Sequence, residues 1–206
     1  MSVVVSYKKQ LVFGLLFLLI IYFVGEVVVQ TYNFYFPHCK FMDSEVYANV
    51  NIDLKRKICF DTDRIKFENT PLRNTPNQDL FSLNINSHGF RGEEVTKIKQ
   101  DDTYRIFVIG GSTTFGVGSS SNETSIPGYL QEYFSTMTEL NVEVINAGIP
   151  SAFSNTEFNY IQNKILDYDP DLLIIYDGLN DSTISSDEYL MSSEEPSLIS
   201  QIMKSL

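Results

Sequence analysis

The hydrophobic pattern divides the chain into three stretches. Leu11 to Val29 (LVFGLLFLLIIYFVGEVVV) is almost continuously apolar, with Glu26 as its one charge. At 1.5 Å per residue it spans roughly 28 Å, about one hydrocarbon core, so a membrane-spanning helix over residues 11–30 is expected. Between Thr31 and Asp102 no period persists. Two Asn-Thr-Pro triplets, Asn69 to Pro71 and Asn74 to Pro76, push the residue before each proline toward extended backbone. Residues 31–102 therefore read as an irregular lead-in wrapped on a domain rather than as a second core.

From residue 103 onward the pattern alternates between strand and helix. Tyr104 to Ile109 (YRIFVI) is a short apolar run ending in glycines. Ile126, Tyr129, Leu130, Tyr133, Phe134 and Met137 then recur at helical spacing, with Pro127 in the first turn. Val142 to Ile145 predicts a second strand, and Ser154-x-x-Glu157 has the form of a capping box ahead of Phe158, Ile161, Ile165 and Leu166. Leu172 to Tyr176 (LLIIY) is wholly apolar, as a strand buried on both faces should be. The expected fold class is α/β, a three-layer, flavodoxin-like sandwich with a parallel sheet over residues 103–206, preceded by one transmembrane helix. Leu198, Ile199, Ile202, Met203 and Leu206 begin a further amphipathic turn. The domain reads as the N-terminal part of a larger sheet.

A cleaved signal peptide competes with the anchor for the first stretch. It would have a shorter apolar core and a small-x-small cleavage site, whereas Val28, Val29, Gln30, Thr31 and Tyr32 follow here. Lys8 and Lys9 place residues 1–10 in the cytoplasm and the main domain outside. The formal net charge is −11, and the remainder without those two lysines is more acidic still. Nucleic acid and anionic lipid are therefore poor partners for the domain, and no nucleic acid is expected. Cys39 and Cys59 are the only cysteines, and in that compartment they are either one disulfide or two buried thiols. His38, Cys39, Cys59 and His88 contain no pair with the usual ligand spacing, so no metal is expected.

Candidate chemistry concentrates at the strand ends, where sheets of this class carry their sites. The first end, FVIGGSTTFGVG (residues 107–118), fails three common motifs by residue type. Gly111 and Gly116 have P-loop separation, but Val117 replaces the lysine that clamps phosphate. No G-x-G-x-x-G series starts at Gly110, Gly111 or Gly116. Thr114 stands where the second glycine of a G-x-S-x-G elbow belongs. What remains is a serine at one strand end, with Asn146-Ala147-Gly148 and Gly178-Leu179-Asn180-Asp181 at the next two.

Over about residues 84 to 181 this arrangement resembles the SGNH (GDSL-type) hydrolase superfamily. Gly110-Gly111-Ser112-Thr113 is similar to its nucleophile block, Gly148 to its second block, and Gly178-Leu179-Asn180-Asp181 to its G-x-N-D block. Asn86-Ser87-His88-Gly89-Phe90-Arg91-Gly92 looks like the lead-in of membrane-anchored members. The resemblance implies Ser112 as nucleophile. It further implies an oxyanion hole from the Ser112 and Gly148 backbone N–H groups and the Asn180 side chain, each donor worth about 3–4 kcal/mol of transition-state stabilisation. No cofactor is implied, because serine acyl chemistry needs none.

A serine hydroxyl also needs a general base, and the family supplies it from a D-x-x-H block after the third block. No histidine follows His88, which sits where the family has no base and reads as a loop histidine. Two functions are thus expected as alternatives. One is a membrane-anchored, extracytoplasmic ester hydrolase or acyl-transferring relative, acting on O-acyl groups such as those of surface glycans, in an inactive or incomplete form. The other is a non-catalytic binding or scaffold module on the same frame.

Overall fold

The computed structural model describes residues 6–37 and 39–183. His38 and the amphipathic stretch from Leu198 to Leu206 lie outside the described residues. The chain forms two compact units, Met1–Cys59 and Phe60–Leu206.

In the first unit, α1 (Tyr7–Tyr35) is 29 residues long, apolar enough to cross a membrane, and buries none of its side chains. Near its C-terminal end polar side chains bond within the helix: Gln30 donates to Glu26 Oε1 at 2.8 Å and Thr31 Oγ1 to the Val27 carbonyl at 2.7 Å. That is what a helix in hydrocarbon requires. Two short 3₁₀ turns follow, Lys40–Asp43 and Glu45–Tyr47. Cys39 and Cys59 form a disulfide with a Cα–Cα distance of 5.6 Å, which decides between the two states the sequence left open.

The helix α2 (Ile52–Arg64) interrupts the stretch read as irregular. Asn51 Oδ1 accepts from the Asp53 N–H at 2.7 Å and so supplies a start signal. Only Ile58, Cys59 and Asp61 of the helix are buried, which left too few apolar positions for a visible period.

In the second unit, β1 (Phe67–Asn69) and β2 (Leu72–Asn74) form an antiparallel hairpin, and β3 (Gln78–Asp79) pairs with β4 (Asn84–Ile85) in another. The long strand β5 (Thr103–Gly110) leads into the short helix α3 (Ser112–Phe115) and then α4 (Ile126–Met137). The strand β6 (Asn141–Asn146), helix α5 (Ser154–Asn163), a 3₁₀ turn (Ile165–Tyr168) and β7 (Leu172–Tyr176) complete the order, with a last turn at Asp181–Thr183.

These elements make a mixed α/β fold around a three-stranded parallel sheet in the order β6-β5-β7. Alternation along β5 divides its side chains between two clusters. Ile106 and Val108 pack with Leu130 and Phe134 of α4, whereas Phe107 and Ile109 pack with Tyr160 and Ile161 of α5. Of the apolar stripe of α4 only Leu130 and Phe134 pack on the sheet, because Ile126, Tyr129, Tyr133 and Met137 remain exposed.

β7 departs from the expectation of a strand buried on both faces. Leu173 and Ile174 pack inward, but Leu172, Ile175 and Tyr176 are exposed, since β7 is an edge of the described sheet. The opposite edge is occupied: Arg91 bridges β6 and β4, donating its N–H to the Asn146 carbonyl at 3.1 Å.

Candidate functional site

Glycines at the end of β5 let the neighbouring strand ends close in on Ser112. A Cβ on Gly110 would lie 2.2 Å from the Tyr176 carbonyl oxygen, and one on Gly111 would lie 2.7 Å from Asn180 Nδ2. Ser112 then opens α3, half-buried, and its hydroxyl bonds no described residue. It does not act as a helix cap, since Gly111 holds that position. The single turn closes at Gly116, whose φ of +88° only glycine adopts readily, and the Gly116 N–H returns to the Ser112 carbonyl at 2.9 Å. Thr114 faces away into the fold and donates to the Tyr176 carbonyl at 3.2 Å.

Gly148 packs on the same turn. A Cβ there would stand 2.3 Å from the Phe115 N and 2.6 Å from its Cα, contacts with backbone that cannot swing aside. Its N–H donates to Asn146 Oδ1 at 3.0 Å, and its carbonyl accepts from Asn74 Nδ2 at 3.0 Å. The N–H that the resemblance assigns to an oxyanion is therefore engaged within the fold. Gly148→Ala is expected to cost about 3 kcal/mol, at the upper end for overpacking. Urea unfolding of the detergent-solubilised chain checks this, and an unchanged midpoint would mean the Phe115 backbone yields.

Asn180 reaches the site from the end of β7. Its Nδ2 donates to the Ala152 carbonyl at 2.7 Å while resting over Gly111, one residue from the serine. Next to it, Asp181 Oδ1 accepts from the Ser154 hydroxyl at 2.8 Å, and both Asp181 carboxylate oxygens accept from the Ser154 N–H at 3.2 Å. This corrects the expected capping box. Phe153 is the residue before the helix, Ser154 turns to Asp181, and Glu157 points into the interior. A long-range carboxylate has outcompeted the local reciprocal cap.

Glu157 is 3% exposed, and its Oε1 has no hydrogen-bond partner among the described residues. Burial, with Asp177 and Asp181 nearby, pushes its pKa up to about 8, so the side chain is largely protonated at neutral pH. Asp177 is raised as well, chiefly by burial and further by Asp181, against a lowering bond from the Gly178 N–H. These two groups flank the loop that carries Asn180.

The Asn86–Gly92 stretch holds the site rather than entering it. The Arg91 guanidinium donates to the carbonyls of Phe115 (2.9 Å), Gly116 (2.7 Å), Ser82 (3.2 Å) and Ser121 (2.8 Å), and to Asn122 Oδ1 (3.1 Å). It thereby caps the carbonyl end of α3. Asn86 Oδ1 accepts from the N–H groups of His88 and Phe90, both at 3.0 Å, and fixes the tight turn between them. Asn74 Nδ2 ties this turn to the second block by bonding both Gly89 and Gly148 carbonyls. His88 Nδ1 lies 2.8 Å from the Tyr168 hydroxyl, and its carbonyl accepts from Lys164. None of the contacts of His88 is with Ser112, as expected for a loop histidine.

The structure thus gathers Ser112, Gly148 and Asn180 around one short turn at the carboxyl end of the sheet. It leaves His88 on Tyr168. Arg91, Asn74, Asn146 and Glu157 are contributors that sequence reasoning missed; the signal for the asparagines was their place at strand ends. The chain matches no known protein-family model and no curated protein.

Proposed function

We propose that the second unit is an SGNH-type serine acyl site: a membrane-anchored, extracytoplasmic ester hydrolase or acyl-transferring domain with Ser112 as the acyl acceptor. The observation that carries this reading is the convergence of three strand-end segments on α3, with Asn180 over Gly111 and Gly148 against Phe115. Strand order β6-β5-β7, with α4 and α5 packing on different sets of β5 side chains, supports a three-layer, flavodoxin-like sandwich. In such sheets the ligand crevice opens where strand order reverses, between the ends of β5 and β7. Ser112 and Asn180 follow the ends of those two strands, which supports a site there.

Attack by Ser112 on an ester carbonyl forms a C–O bond and places negative charge on the carbonyl oxygen, which fixed N–H donors stabilise. Collapse expels the alcohol and leaves an acyl-serine for water or a second alcohol to take. The serine proton must go to a base, and His88, the one histidine among the described residues, is held on Tyr168. Loss of the base costs about a million-fold in another serine hydrolase, with about a thousandfold or more over water retained by the remaining site. The 206 residues are therefore expected to acylate slowly unless a base is added. A non-catalytic module on the same frame is the alternative reading, favoured by the occupied Gly148 N–H.

For the anchor, Lys8 and Lys9 ahead of α1 support a cytoplasmic N-terminus, and the Cys39–Cys59 disulfide supports an oxidising compartment for the residues beyond. A fluorophosphonate probe tests both parts. It is expected to label Ser112 in broken cells, faster with added imidazole, and not to label Ser112→Ala. Labelling that survives Ser112→Ala, or none even with imidazole, would sink the acyl site in favour of the module. A membrane-impermeant probe should label the same serine on intact cells; labelling confined to broken cells would reverse the orientation.

A further inference from the structure

A cavity of the second unit is lined by residues other than Ser112, Gly148 and Asn180 and has no role in the acyl chemistry. It measures about 540 Å³, within the range of small-molecule sites. One wall is α5, where Asn155, Asn159 and Asn163 recur every four residues and so stack about 6 Å apart along one face. Their amides offer both donors and acceptors. Asparagine is a weak helix former, so three at this spacing on a ten-residue helix run against local preference.

Arg73, Lys97 and Lys164 all line the cavity, against one lining carboxylate, Asp167. Lys97 pairs with Asp167 at 2.9 Å, and Arg73 pairs with Glu68 outside the lining. Three cations against those two carboxylates leave one positive charge. It falls to Lys164, whose ammonium, among the described residues, bonds the His88 carbonyl and lies 5.2 Å and 5.5 Å from the Phe90 and Tyr160 rings. Burial and the nearby Arg73 hold its pKa below the usual lysine range, against a raising influence from Glu68.

We infer that this cavity binds a small hydroxylated carboxylate, a sugar acid of the hexuronate type, with its carboxylate on Lys164 and its hydroxyls on the asparagine ladder of α5. A single surplus charge selects one carboxylate, and the amide pairs match vicinal hydroxyls, which both donate and accept. The inference does not depend on Ser112 acting as a nucleophile, and its test reads binding alone.

The test is titration of the detergent-solubilised full chain with D-glucuronate, acetate, glucose and inorganic phosphate, followed by ligand-observed NMR. Glucuronate is expected to saturate at millimolar concentration, at least fivefold tighter than acetate or glucose, since each neutral hydrogen bond contributes a few-fold. Lys164→Met should weaken glucuronate about tenfold or more. Asn159→Ala, on the partly exposed face of α5, should bring glucuronate close to acetate while leaving acetate itself unchanged. The fold of both variants is checked by circular dichroism. Phosphate binding as tightly as glucuronate, or glucuronate no tighter than acetate, would reduce the cavity to a bare anion site and overturn the inference; so would affinity unchanged in Asn159→Ala.

Discussion

Arg91→Met is expected to destabilise the second unit by about 4 kcal/mol or more, a large part of the 5–15 kcal/mol that holds a typical domain together. Arg91 is 4% exposed, and its guanidinium serves four main-chain carbonyls and one side-chain amide oxygen. Methionine fills much of the volume but donates nothing, and each buried acceptor left unpaired costs about 1–3 kcal/mol. Burial pushes the Arg91 pKa down to about 10, with Glu123 acting in the opposite sense, so the group stays charged at neutral pH and its bonds remain charge-assisted. Arg91→Lys should recover little, because one ammonium cannot span acceptors on both sides of the α3 turn. Urea unfolding of the two variants against the parent measures the effect. A loss under about 1 kcal/mol for Arg91→Met would show that water replaces the guanidinium and that the clamp is dispensable. Since two of the acceptors are Phe115 and Gly116, fluorophosphonate labelling of Ser112 should fall in parallel with stability.

The second large effect is in the pH dependence of stability. Glu157 has a folded pKa of about 8 against an ordinary value of 4.5. Below the ordinary value both folded and unfolded states hold the proton, and the group costs nothing. Between about pH 5 and 8 the unfolded chain releases the proton while the folded state keeps it. Stability therefore falls as pH rises, by up to about 1.4 kcal/mol per unit. Asp177, also raised, acts in the same direction. The carboxylates with lowered pKa, Glu94, Glu123 and Asp171, have completed their contribution by the start of this window and do not mask it. Glu157→Gln keeps the shape, cannot ionise, and should give a visibly flatter profile of thermal stability over pH 5 to 8. Profiles that stay parallel would mean Glu157 is ionised in the folded state, with its charge met by solvent or a bound cation.

Much of the fold was determined locally. The three strands lie where short apolar runs end in small or polar residues, and α4 starts at Ser125, which caps it, with Pro127 in its first turn, because these signals act over a few residues. The length and continuity of apolar residues in α1 are likewise a sequence property, since no tertiary contact buries any of them. The positions of Ser112, Gly148 and Asn180 at strand ends followed from the same periodicity.

What the sequence left undecided depends on partners far along the chain. The α2 helix has too few buried positions to show a period, and the Cys39–Cys59 pairing needed the two Cα atoms brought to 5.6 Å. Ser154 and Glu157 carry a local capping signal, yet Asp181, 27 residues on, takes the serine, and burial takes the glutamate. Arg91 looked like part of a loop motif until five acceptors from three segments closed around it. Arg91 and Ser154 each found their partners in segments distant along the chain. The cost of leaving a buried polar group unpaired exceeds the few tenths of a kcal/mol by which local preferences differ.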